Sequence, residues 1–335
     1  MNNQIISQHA RSVALDIMGI QNSQAQVVGV SGGYSRNRRA LVGSDNRWVF
    51  VKEVDTQLLP EDPKEELWWL KKDYLCASEL RKIVPALVPE WSQLESDGHI
   101  LLMTSYRTAD GWLWSPPQDP LLRARYIDAV ISATKKLAAI KFDEGTIKDL
   151  GLNPLLRDEL ALDDGFAAIM QDDMVNDQLR QKYTSLLSKG GALKQQHAAM
   201  IKLLSNKSEL LSVAQRAVDL AKQPNDSFGH CDVRSDNLAF HPETAEVRFV
   251  DWNWASYTPE GFGATEFLLD MSRRGFDVTP WSSELNIEML AALVGFYAKR
   301  SLKDPLSPGS ALRNVQAESA SVAYSLYTKA INSRL

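Results

Sequence analysis

The chain has 335 residues, 44% of them hydrophobic and 24% charged, the proportions of an ordinary globular protein with ample apolar surface for a core. Its net charge of −5 provides no basic footprint for wrapping nucleic acid or lying on an anionic membrane, so neither is expected as a partner. Residues 1–20 lack a basic leader, no long apolar run occurs, and Cys76 and Cys231 are too few for a disulfide framework, so a cytoplasmic protein is expected.

The predicted elements begin with an amphipathic helix carrying Ile5, Ile6, Val13, Leu15 and Ile17. Strand-like runs follow at 27–31, 39–42 and 48–54, separated by Gly32-Gly33 and by Gly43-Ser44-Asp45-Asn46, which reads as an antiparallel meander. A helix is expected over 63–82, then short strands at 87–91 and 100–105 around the turn Ser96-Asp97-Gly98. Beyond Tyr106 apolar residues recur at spacings of three and four over 120–142, 165–188, 191–222, 262–275, 281–301 and 308–332. One strand-turn-strand stretch, 237–240 and 246–251, interrupts them. The fold class is therefore α+β and bilobal: a small N-terminal antiparallel sheet lobe, 1–105, and a larger, mostly helical C-terminal lobe, 106–335. Clefts between such lobes are where ligands tend to bind.

His230-Cys231-Asp232-Val233-Arg234-Ser235-Asp236-Asn237 has the spacing H-x-D-x-x-x-x-N of a kinase catalytic loop. That chemistry needs an aspartate to accept the proton of an attacking hydroxyl and, one short loop later, an oxygen ligand for a cation on the phosphates. Asp232 is the expected base and Asn237 a metal ligand. The cation needs a second hard oxygen, and the strand Glu246-Val247-Arg248-Phe249-Val250-Asp251 supplies it: alternation puts Asp251 on the face of Val247 and Phe249, with Glu246 and Arg248 on the more solvated one.

Upstream, Gly32-Gly33-Tyr34-Ser35 sits between two strands, where glycines let backbone amides approach phosphates and Ser35 adds a hydroxyl. Taken alone it is only a hairpin. Lys52 gives it meaning, because alternation puts this cation on the face of Trp48, Phe50 and Val54, where it needs an anion. The phosphates of a nucleotide and a helix carboxylate are the expected partners. Glu66, Asp73 and Glu79 are the candidate braces; Asp73 is favoured by position and Glu66 stays open by length. Arg36, Arg38 and Arg39 are placed to reach phosphates, but a basic hairpin tip is usually solvated, and they are read as that.

These residues resemble the aminoglycoside phosphotransferase and choline kinase-like family, with matches at Gly32-Gly33-Tyr34-Ser35, Lys52, the segment 230–238 and Val250-Asp251-Trp252-Asn253-Trp254-Ala255. The resemblance implies a protein kinase-like fold, ATP or possibly GTP as donor with Mg²⁺, a small-molecule hydroxyl acceptor, and a pocket built from C-terminal helices. It also makes the stretch 101–106 the linker that receives the nucleobase, with Met103 and Ser105 in the nucleotide site. Cys231 stands where the family most often has glycine, and is expected to be buried and inert. After Ala255 the family places Gly and then Asp, whereas this chain offers Gly261, Gly263, Thr265 and Glu266.

The acceptor is not legible: the acidic residues Asp158, Glu159, Asp163, Asp164, Asp172, Asp173 and Asp177 read as a solvated helical face, and Trp112, Trp114, Trp252 and Trp254 as core. Oligomeric state is equally illegible. A pseudokinase acting as a nucleotide-binding regulatory module is the alternative; the presence of Lys52, Asp232, Asn237 and Asp251 together argues against it.

Overall fold

The computed structural model describes residues 5–30, 37–54, 64–152, 157, 160, 165–304 and 311–334. Two compact units can be distinguished: Met1–Ala129 with Phe142–Gly151 and Ser235–Ala255, and Val130–Lys141 with Leu152–Arg234 and Ser256–Leu335. Near Tyr106 the secondary structure changes from mainly strand to mainly helix, while the first unit continues past it and takes in the later hairpin.

In the first unit, helix α1 (Gln8–Met18) starts where the Ser7 hydroxyl accepts the Ala10 amide at 3.0 Å, and it ends at Gly19, whose φ of 61° suits a left-handed cap. Ala10, Ala14 and Leu15 pack on one face of an antiparallel sheet that has, among the described residues, five strands in the order β1-β2-β3-β5-β4. These are β1 (Gln26–Gly29), β2 (Arg38–Ser44), β3 (Arg47–Glu53), β4 (Ser92–Glu95) and β5 (Ile100–Thr104). Ala40, Val42, Val49, Val51, Ile100 and Leu102 form that face. The β2–β3 turn depends on Gly43, since a Cβ there would lie 2.1 Å from the Arg47 carbonyl oxygen.

Register fixes the other face. Leu41 pairs with Phe50 and Phe50 with Met103; Arg39 pairs with Lys52 and Lys52 with Leu101. With a side-chain period of two, these six residues share one side of the sheet. Helix α2 (Lys64–Ile83) covers part of it, Leu70 packing with Val54, Leu101 and Met103.

The strand expected at 87–91 begins later, with ladder pairing from Ser92↔Met103 to Glu95↔Ile100. Pro85 and Pro89 have no amide to give a ladder. The Pro89 carbonyl instead accepts from Arg81 at 2.9 Å, and those of Pro85 and Val88 accept from Arg248 at 2.7 and 3.3 Å. Arg248, expected on a solvated face, is thereby buried. It lies on β8 (Glu246–Phe249), which pairs with β7 (Leu238–His241) as the anticipated hairpin.

Helices α3 (Pro120–Ala138) and α4 (Glu144–Asp149) follow the sheet in sequence. Three runs expected as single helices in the second unit are interrupted by capping side chains. Asp172 accepts the Met174 amide at 2.9 Å and divides α5 (Phe166–Gln171) from α6 (Asp173–Ser188). Asn206 accepts the Glu209 amide at 3.2 Å and divides α7 (Lys194–Ser205) from α8 (Lys207–Asp219). Asn286 caps α10 (Ile287–Arg300) after a 3₁₀ turn at Thr279–Glu284. Short polar side chains compete in this way with the continuing helical ladder. Helices α9 (Phe262–Arg273) and α11 (Leu312–Arg334) lie further along the chain, and β6 (Ser227–Gly229) pairs with β9 (Ser256–Thr258), a ladder too short to leave a periodic signal. Among the described residues no helix is long and apolar enough to cross a membrane.

Candidate active site

The inner face of the sheet carries Lys52, only 4% exposed. Its ammonium lies 3.2 Å from Asp73 Oδ2 and 2.7 Å from Asp251 Oδ1. Burial alone would lower the pKa of Lys52, but the charges of Asp251 and Asp73 outweigh it and hold the ammonium above its ordinary value. One cation does not fully compensate two acids: burial, followed by the Asp251 charge, pushes Asp73 upward although Lys52 and the Trp252 amide oppose it.

Each of these residues is placed by a distinct piece of backbone. Asp73 comes from the middle of α2, and its second oxygen accepts the Trp252 amide at 2.9 Å. Trp252, fully buried, also donates its indole N–H to the Phe249 carbonyl at 3.1 Å. Asp251 follows the end of β8 with φ at 69°, a left-handed conformation that turns the chain out of the hairpin. Just before it, the Val250 amide donates to the Asn237 carbonyl at 3.1 Å, so Asn237 and Asp251 are held on adjoining arms.

A cavity of about 470 Å³ opens here, within the first unit. Val28, Leu41, Phe50 and Met103 make an apolar wall, and Arg39, Lys52, Asp73, Asp236, Asn237 and Asp251 cluster at its polar end. The donor set fits a magnesium ion bound partly by phosphate: Asn237 and Asp251 offer hard oxygens, while no group of three or more His, Cys, Asp or Glu side chains among the described residues forms a cage by itself.

The second unit holds the rest of the loop. Cys231, buried and in no disulfide, has φ of 60°, a left-handed conformation that glycine adopts most readily. The Asp232 carboxylate, 24% exposed, lies 3.3 Å from Arg234 Nε. The Val233 amide donates to buried Glu266 at 3.3 Å, so Glu266 braces the loop from α9. Gly263 lets α9 lie close to Thr134 of α3, since a Cβ there would sit 3.1 Å from Thr134 Cγ2, while Val233 would stay at an ordinary 3.7 Å. Burial, and next the charge of Asp232, pushes the Glu266 carboxyl up to about 8, with the Val233 amide and Arg234 pulling the other way. Tyr297, on α10, is raised too, by burial and then by Glu266 and Asp232.

The structure thus brings Lys52, Asp73, Asn237 and Asp251 to one cavity, with Met103 in its wall. Glu79 pairs with Lys82 at 2.6 Å, and Glu66 does not line the cavity, which leaves Asp73 as the residue against Lys52. Ser105 is turned away from it, its hydroxyl donating to the Trp48 carbonyl at 3.0 Å; Thr104 and Tyr106 line the wall beside it. Gly32, Gly33, Ser35 and Arg36 lie outside the described residues, as do Asp158, Glu159, Asp163 and Asp164. Of the remaining acids in that stretch, Asp172 is a helix cap and Asp177 lies 3.5 Å from Arg180. Trp252 is core as expected, whereas Trp114 lines the cavity. Arg39, for which the sequence preferred a solvated tip over a reach to phosphates, lines the cavity; the signal that decides it is its register opposite Lys52.

No protein-family model matches the sequence, and no curated protein matches it. Solved structures do. The fold is similar to that of Plasmodium vivax ethanolamine kinase, with a TM-score of 0.53 at 12% identity over 98% of this chain and 93% of that one. It is similar also to APH(2")-IIIa in its GDP and kanamycin complex, with a TM-score of 0.50 at 14% identity over 97% of this chain and 99% of the other. At these identities the likeness is one of fold: the chain has the α+β, bilobal kinase-like fold, with a small antiparallel sheet and a larger helical part.

Proposed function

We propose that the chain is an ATP- and Mg²⁺-dependent phosphotransferase of the aminoglycoside phosphotransferase and choline kinase-like family, moving the γ-phosphoryl group to a hydroxyl of a small molecule. Residues 1–105 serve as the nucleotide-binding lobe, and 106–335 carry the catalytic loop and the acceptor pocket. The observation that carries this reading is the buried ammonium of Lys52 between Asp73 and Asp251, in a cavity that also has an apolar wall of Val28, Leu41, Phe50 and Met103. A buried cation so placed suits phosphate at one end and a nucleobase at the other. The fold it shares with ethanolamine kinase and APH(2")-IIIa supports the same reading.

In this assignment Lys52 holds the α- and β-phosphates and Asp73 keeps its side chain in place. Asn237 and Asp251 would hold Mg²⁺, which when bound neutralises charge on the transferring phosphates. Asp232 accepts the proton of the acceptor hydroxyl as the new O–P bond forms and the β–γ bridging oxygen leaves on ADP. Glu266 positions Asp232 through the Val233 amide.

The test is ADP release, with ATP and with GTP as donor, across a panel of aminoglycosides, amino alcohols and sugars. Acceptor-dependent release that Asp232→Ala abolishes while nucleotide binding persists is the expected result. Saturable MgATP binding with no turnover on any acceptor would instead favour a regulatory pseudokinase.

A further inference from the structure

The sheet wall of the cavity is built of two successive cross-strand rows. The first, Val28, Leu41, Phe50 and Met103, is apolar throughout. Two residues along each central strand comes the second row, where Arg39 of β2 stands directly opposite Lys52 of β3, both lining the cavity. Two residues of strand advance by about 7 Å, the scale of the step from a nucleobase toward its phosphates.

Two cations directly opposite on one face of a sheet repel each other, with Cα atoms only about 5 Å apart. Burial works against the Arg39 charge, and the carboxylates of Asp251, Asp73 and Asp236 act to retain it. Lys52 already stands against Asp73 and Asp251, so its own charge does not require a second cation beside it. What a pair of adjacent cations suits is a polyanion with more than one phosphate. Arginine suits it further, because its planar fork of N–H donors matches two phosphate oxygens at once, where an ammonium acts as a point charge.

We propose that Arg39 is a second phosphate-binding cation of this site, holding the nucleotide's diphosphate beside Lys52. The inference rests on the proposed nucleotide site and deepens it by naming a residue on β2 that selects for a di- or triphosphate over a nucleoside.

Titration calorimetry on the full chain tests it, with adenosine, ADP and MgATP, and in parallel guanosine and GDP, using wild type, Arg39→Gln and Arg39→Lys. Charged hydrogen bonds to phosphate correspond to roughly tenfold or more in affinity. Arg39→Gln should therefore lose roughly tenfold or more for the diphosphate while nucleoside affinity holds, and Arg39→Lys should recover part of the loss. Diphosphate affinity within about twofold of wild type in Arg39→Gln, or an equal fall for nucleoside and diphosphate, overturns the inference. If Lys52→Met loses ADP while Arg39→Gln does not, the proposed function stands and only the role of Arg39 falls. A wild-type chain that binds none of these nucleotides removes both. Should Arg39→Gln fail to fold by its melting curve, the ratio of diphosphate to nucleoside affinity in Arg39→Lys decides in the same way.

Discussion

The two units solve one physical problem in opposite ways. In the first, an ammonium stands between the carboxylates of Asp73 and Asp251, and its charge opposes the burial that pushes Asp73 upward. In the second, Glu266 lies near Asp232 with Arg234 as a partial counter-charge, and the carboxyl is pushed up to about 8, which leaves it largely protonated at neutral pH. Pairing sets a cation against the acids where a cation on phosphate would meet them. Protonation removes charge where a backbone brace is needed and a second anion would repel the base. A buried acid therefore reveals its task by which of the two compensates it.

Breaking the second arrangement at its centre gives the largest effect. Asp232→Asn should lower turnover by roughly 10²- to 10⁴-fold with an unchanged circular dichroism spectrum. The same variant removes only the second of the two causes that raise Glu266, burial being the first, so it should narrow the pH effect described below without abolishing it. Breaking the first arrangement with Lys52→Met leaves buried Asp73 and half-buried Asp251 without the cation between them, a loss of about 3–5 kcal/mol on the scale of buried ion pairs. Urea unfolding would measure it, and Lys52→Met/Asp73→Asn should regain part of it; no recovery would mean that the two side chains are not energetically coupled.

The pH dependence sharpens the contrast. Glu266 has its carboxyl raised from 4.5 to about 8 in the folded protein, so the native state keeps a proton that the unfolded chain releases near 4.5. Its contribution to stability is full below 4.5 and declines as pH rises toward 8. The difference in unfolding free energy between wild type and Glu266→Gln should fall over that range and level off above it. A difference constant with pH would show Glu266 ionised in the native state. The smallest effect belongs to Cys231→Gly: relief at φ of 60° is offset by the entropy glycine adds to the unfolded chain and by lost Sγ packing, so stability should change by less than about 1 kcal/mol.

Much of the sheet and of the phosphate end was legible because both rest on local pattern. Alternation put Lys52 on an apolar face and the turn at Gly43 set the β2–β3 pairing, whereas Asp251, expected to close the strand face of Val247 and Phe249, follows the strand's end in a left-handed conformation. What resisted reading depends on residues far apart in sequence. Helical phase accepts Glu66 and Asp73 equally, and the choice is made by Lys52 together with the Trp252 amide, 179 residues away from Asp73. Arg39 looked like a solvated tip because only the register across the hairpin brings it opposite Lys52. Glu266 looked like a departure from a motif until the Val233 amide gave it a partner. Asp172, Asn206 and Asn286 divided helices that apolar spacing had joined, since a capping side chain leaves the hydrophobic period intact.

The most direct measurement is MgATP and metal-free ADP affinity in wild type and Asp251→Ala by calorimetry. If Lys52 and Asp251 converge on a triphosphate and its cation, wild type binds MgATP saturably and the variant loses far more of that affinity than of its affinity for metal-free ADP. Equal losses for the two ligands, or no nucleotide binding by the wild type, would contradict the account.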